Sequence, residues 1–183
     1  MRKKQLLITI AIVLVCVLID IALHAITSEF SSTPEGSEYG EMAEILGVEI
    51  TATLWALLAF SGAAIVFFQL QNSIPGDRLE KGVRYGSAIS LLWLLAMLEG
   101  VGLFGNELLN EFVIGLSDAI PALILGILLG LTMDKNNARS TLKRSTLNRK
   151  VLTVGVFASV FFVGRCVAYL SGSIQSGYQT NPS

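Results

Sequence analysis

Residues 112–133 read FVIGLSDAIPALILGILLGLTM. Asp118 is the one charged side chain in this run. A helix needs about 20 mainly apolar residues to cross the hydrocarbon of a bilayer, so the run predicts a transmembrane helix. Within it Gly115, Asp118, Ala119, Ala122, Gly126 and Gly130 recur at three- and four-residue spacings and share one helical face. Small residues in that pattern let two helix backbones approach closely in lipid. The face is therefore expected to pack on another helix, with Asp118 directed at a neighbour and not at lipid. Pro121 adds a second feature. Proline cannot donate to the carbonyl four residues back, here Ser117. Either a packing kink or an oxygen-lined cavity beside Asp118 is expected there.

Four other stretches have the same character: Leu6 to Ile26, Ile45 to Leu70, Tyr85 to Phe104, and Val151 to Gly172. The chain is 52% hydrophobic and only 15% charged, where soluble domains average about 25% charged. These features predict an all-α polytopic integral membrane protein, a five-helix bundle in one transmembrane domain over residues 1–172. The uncharged polar tail at 173–183 is expected to be disordered. Arg2, Lys3 and Lys4 before the first apolar stretch would also suit a signal peptide. Asp20 interrupts that stretch and no small-x-small site follows, so the helix is expected to be retained.

The basic residues predict the orientation. Of the 13 Lys and Arg, all but Arg165 lie in the N-terminus, the loop from Gln71 to Arg84, or the loop from Asp134 to Lys150. With five alternating helices these segments share one side. The other side carries Glu29, Glu35, Glu38, Glu41, Glu44, Glu107 and Glu111. Lys and Arg collect on the cytoplasmic side of membrane proteins. The N-terminus is therefore expected in the cytoplasm and the C-terminus outside, in a multi-pass protein of the cell membrane. The Ser-, Pro- and Gly-containing segment from Ser31 to Ser37 reads as irregular chain, followed by a short helical lead-in over Glu38 to Glu44. Ile74-Pro75-Gly76-Asp77 reads as a turn. Residues Lys81 to Gly86 read as the point where the chain meets the membrane, with Tyr85 at the interface.

Six ionisable residues fall inside the apolar stretches: Asp20, His24, Glu49, Glu99, Asp118 and Arg165. Such groups are costly in hydrocarbon and usually face the bundle interior or a water-filled cavity. Counted from the outer helix ends at 1.5 Å per residue, Asp20, Glu99, Asp118 and Arg165 sit roughly 7–10 Å deep. His24 and Glu49 lie nearer the surface, and no ionisable group falls in the inner half of any stretch. Asp20 and His24 are four residues apart and share a face. Arg165 shares one with Ala158, Ala168 and Gly172, and Glu99 with Ala88, Leu92, Ala96 and Gly102. One acidic cluster opening outward is the expectation.

Such a cluster suits binding or transport of a proton, a cation or a small polar solute, because carboxylates facing a single fixed cation leave negative charge to be neutralised. The alternative is a structural or regulatory subunit whose buried charges only fix helix packing. An enzyme has less support. There is no His-Glu-x-x-His, Cys-x-x-Cys or phosphate loop, and there is one histidine. Gly115-Leu116-Ser117-Asp118 differs by one residue from the Gly-x-Gly-Asp segment of intramembrane aspartyl proteases, with Ser117 in place of glycine. The likeness stops there and assigns no family. It leaves an aspartyl-type hydrolase using Asp20 and Asp118 as a further alternative.

A metal site from His24, Asp20 and Glu99 is chemically feasible, but no resident metal or cofactor is expected. Cys16 and Cys166 lie inside apolar stretches and read as packed thiols. The implied partners are the bilayer, anionic lipid headgroups at the 134–150 loop, and a second copy or another membrane subunit. The basic loops lack interleaved aromatics, so nucleic acid is not implied.

Overall fold

A computed structural model describes residues 3–28, 41–104 and 107–133, with side chains at all of these except 41, 99, 100 and 102–104. The regular structure among the described residues is entirely helical: α1 (Lys3–Thr27), α2 (Glu41–Leu46), α3 (Val48–Leu70), α4 (Arg78–Phe104) and α5 (Leu108–Leu131). Three of them, α1, α3 and α5, are long and apolar enough to cross a membrane. The expected helix at Val151 to Gly172, with Arg165 and Cys166, lies outside the described residues, as do the 134–150 loop and the 173–183 tail.

The helices start a few residues away from the expected positions, and for two of them the structure gives a local backbone reason. The second apolar stretch does not begin as one helix at Ile45. Gly47 adopts φ 85° and ψ 153°, a conformation that side chains other than glycine rarely take. It separates the lead-in helix α2 from α3. The third stretch begins at Arg78 and not at Tyr85. Gly76, with φ 110°, makes the expected turn. Asp77 and Glu80 then close a reciprocal cap. The Glu80 backbone N–H donates to Asp77 Oδ1 at 2.9 Å, and the Asp77 N–H donates to Glu80 Oε2 at 3.0 Å. This capping box satisfies two of the donors that a helix N-terminus leaves open.

That early start changes the role of residues 81–86. They are helix interior, and they pack. Tyr85 is buried. Its hydroxyl donates to the Ala63 carbonyl at 2.6 Å, and its ring meets Phe67 edge-on at 5.2 Å. Lys81 is fully buried, and its Nζ has no hydrogen-bond partner among the described residues. An ionisable group expected in the loop is therefore enclosed in the first turns of α4.

The α4–α5 contact is antiparallel and very close. Its determinants are the small residues expected on α5 and a matching pair, Gly82 and Gly86, on α4. A Cβ placed on Gly86 would lie 2.7 Å from the Leu123 carbonyl oxygen, and one on Gly126 would overlap the Gly86 backbone. Further along, Ser90 Oγ donates to the Ala119 carbonyl at 2.6 Å, and Gly115 meets Leu94. Arg78 closes the far end by donating to the Met133 carbonyl at 2.9 Å. α5 passes through Pro121 without a break.

The remaining contacts build one core. Ile12, Val13, Cys16 and Val17 of α1 meet Ala56, Phe60, Ala64 and Phe67 of α3, with Ala122, Leu125 and Leu129 of α5. Phe60 also reaches Trp93 of α4, with ring centres 5.7 Å apart. α5 is the central helix. In its apolar window 44% is buried, against 28% in α1 and 22% in α3. Leucine, isoleucine and tryptophan side chains such as Leu7, Leu18, Trp55, Leu58 and Ile65 cover the outside, a surface matched to lipid.

Candidate functional site

The central helix presents different faces to its two main neighbours. Gly115, Ala119, Gly126 and Gly130 line the side toward α4, and Asp118 turns toward α1. There it meets a polar row at 20, 24 and 27, spaced to share one helical face. His24 Nε2 lies 3.1 Å from Asp118 Oδ1. Asp20 Oδ1 lies 3.9 Å from the same nitrogen. One ligand atom from each of Asp20, His24 and Asp118 falls within 4.8 Å of the others. A turn above, Thr27 Oγ1 is 3.1 Å from Ser117 Oγ, and Ser117 Oγ donates to the Val113 carbonyl at 3.0 Å.

The cluster is enclosed to different degrees. The side chains of Asp20, Asp118 and His24 are 10%, 19% and 39% exposed. Asp20 Oδ1 is buried and has no hydrogen-bond partner among the described residues. Unpartnered oxygens of this kind are costly in a low-dielectric interior. Pro121, buried in α5, removes the donor that would otherwise reach the Ser117 carbonyl. One helix therefore contributes a carboxylate, a hydroxyl and a carbonyl released from the helix ladder at the same level.

Three of the six expected charged residues, Asp20, His24 and Asp118, are thus brought together. Glu49 is in the first turn of α3 and is exposed. Glu99 lies in α4, with its side chain outside the description, and Arg165 lies outside the described residues. Thr27 was not singled out from the sequence, although it continues the spacing of Asp20 and His24. Ser117 stood out for its backbone carbonyl and its place beside Asp118, but its hydroxyl contact with Thr27 did not. Glu111 is buried in the first turn of α5.

A separate groove of about 500 Å³ lies between α1 and α3, lined by residues including Leu6, Thr9, Val13, Leu57 and Phe68. Its lining is apolar and it does not include the polar cluster. Comparison with protein-family models, with curated proteins and with solved structures gives no match to this chain.

Proposed function

We propose that this is a multi-pass protein of the cell membrane with five spans, N-terminus in the cytoplasm, that binds or transports a small cation, a proton included, at the Asp20–His24–Asp118 cluster. The observation that carries this reading is the convergence of two carboxylates and an imidazole from α1 and α5 within 4.8 Å. Lipid offers nothing to neutralise two carboxylates held together. Their repulsion is relieved by a proton or a bound cation, with the imidazole as the third donor or acceptor. The orientation follows from the basic residues and puts the cluster nearer the outer surface, about 10 Å from the C-terminal end of α1 to Asp20 at 1.5 Å per residue.

The test is reconstitution in liposomes with a cation- or proton-sensitive dye. Wild type should give a cation-dependent signal, and Asp118→Asn should abolish it while keeping the helical circular dichroism. Equal signals from the two proteins would end this reading.

The approach of Asp20 to Asp118 also bears on the aspartyl-hydrolase alternative, in which two carboxylates share one proton. His24 hydrogen-bonds to Asp118 and adds an imidazole to the two carboxylates, a third ligand that favours the cation reading. Cleavage of a transmembrane peptide, lost in both Asp20→Ala and Asp118→Ala, would reverse the preference.

A further inference from the structure

The donor set at the cluster selects among cations. We propose that Asp20, His24 and Asp118 coordinate one divalent transition-metal ion, through one oxygen of each carboxylate and Nε2 of the imidazole. This rests on the reading of the cluster as a cation site and narrows it to a chemical class.

Three independent features support the assignment. The first is geometry. Two ligands bound at about 2.0–2.2 Å from one ion at tetrahedral or octahedral angles stand about 2.9–3.5 Å apart. His24 Nε2 and Asp118 Oδ1 already have such a separation, 3.1 Å. Asp20 Oδ1 lies 3.9 Å from the imidazole nitrogen, and one ligand atom of each residue lies within 4.8 Å of the others, so a small closing movement of the Asp20 side chain would complete the set. Asp20 and His24 have the i, i+4 spacing by which one helix face offers two ligands to a single ion.

The second feature is the state of Asp20. Its side chain is only 10% exposed, and its Oδ1 is buried without a hydrogen-bond partner among the described residues. That oxygen faces the same gap as the His24–Asp118 pair. A buried carboxylate oxygen with no protein donor is free to take a cation as its partner.

The third feature is charge. Two carboxylates and a neutral imidazole neutralise a divalent ion, which matters where residual charge is expensive. A sodium or potassium ion would leave one negative charge uncompensated. Imidazole is also a good ligand for zinc, iron and nickel, whereas magnesium and calcium favour oxygen donors alone. Three protein ligands leave at least one position for water or exchange, the pattern of a working site and not of a closed structural one.

In this arrangement the hydrogen bond from His24 to Asp118 is replaced. The imidazole ligates as its neutral tautomer, with its one proton on Nδ1 and any second proton released to solvent, and Nε2 and the carboxylate oxygen each donate a lone pair to the ion. Thr27 and Ser117 then form a hydroxyl pair beside the ligands, positioned to orient them or a bound water.

The test uses the full-length protein in detergent micelles with Co²⁺ as a coloured probe and Zn²⁺ as competitor. The expected result is one equivalent of Co²⁺ per chain, with visible d–d absorption displaced by Zn²⁺. Asp20→Asn, His24→Ala and Asp118→Asn should each weaken binding by about a hundredfold or more, beyond the 10–100-fold usual for outer-shell changes. Glu107→Gln, at an exposed position before α5, should leave it unchanged. If a loss variant does not fold, His24→Cys keeps a metal ligand and should retain the ion while adding sulfur-to-cobalt charge-transfer absorption. Absence of saturable binding, or binding equal in wild type and the ligand variants, overturns the metal assignment. In that case a liposome signal that still requires Asp118 keeps the broader cation reading. Loss of both sinks the two together.

Discussion

His24 Nε2 on α1 stands 3.1 Å from Asp118 Oδ1 on α5, a hydrogen bond between residues 94 positions apart. It joins the N-terminal helix to the central one, one turn from the Thr27–Ser117 hydroxyl pair. Hydrogen bonds between membrane helices average about 0.6 kcal/mol of coupling and reach about 1.7. A double-mutant cycle of His24→Ala and Asp118→Ala should return a coupling in that range, read from unfolding in mixed micelles. A coupling of zero would mean that the two side chains do not meet in the folded protein.

The α4–α5 contact should tolerate almost no added volume. Gly126→Leu would drive a side chain into the Gly86 backbone, and overpacking of this kind costs about 1–3 kcal/mol or displaces the helix. Gly62 on α3 is the control, because a Cβ there meets nothing within 4 Å. Gly62→Ala should be neutral or stabilising by up to about 1 kcal/mol. Equal effects of the two substitutions on thermal stability would contradict the close approach of α4 to α5.

Tyr85 tests whether residues 81–86 are packed helix or interface. Tyr85→Phe keeps the ring against Phe67 and deletes the 2.6 Å bond to the Ala63 carbonyl. The cost should be about 0.5–1.5 kcal/mol, a usual net value for one hydrogen bond. Tyr85→Ala should cost about 3–5 kcal/mol, as large aromatic deletions do in cores. Two near-neutral substitutions would return Tyr85 to the membrane surface.

The proposed orientation can be read by chemical labelling. In a background without Cys16 and Cys166, cysteine at Ser73 in the α3–α4 turn should react with an impermeant maleimide only after cells are opened. Cysteine at Glu107, before α5, should react in intact cells. The reverse pattern would invert the orientation without disturbing the cluster.

Much of the helical organisation could be read from composition. Apolar length alone identifies α1, α3 and α5, since the hydrocarbon thickness sets the number of residues needed. The helix starts were harder. The third stretch was read from Tyr85 because Arg78, Lys81 and Arg84 looked like loop charges. The Asp77–Glu80 cap carries the helix back to Arg78, and the charges ride on it. Gly82 and Gly86 were missed for the same reason: a small-residue pair signals packing only once its segment is known to be helix. Gly47 was overlooked because one glycine in an apolar run does not announce a positive φ.

The candidate site divides along the same line. Periodicity placed Asp20 and His24 on one face of the first helix and placed Asp118 toward a protein neighbour, because 3.6 residues per turn is a property of the chain alone. Which neighbour Asp118 would meet was open. A helix shows its own face in its sequence but not its partner, which depends on how close each pair of helices can come. The glycines of α4 and α5 take up one side of the central helix, leaving Asp118 to α1. That choice, made by backbone contact and not by charge, sets His24 within 3.1 Å of Asp118 and leaves the Asp20 oxygen without a donor.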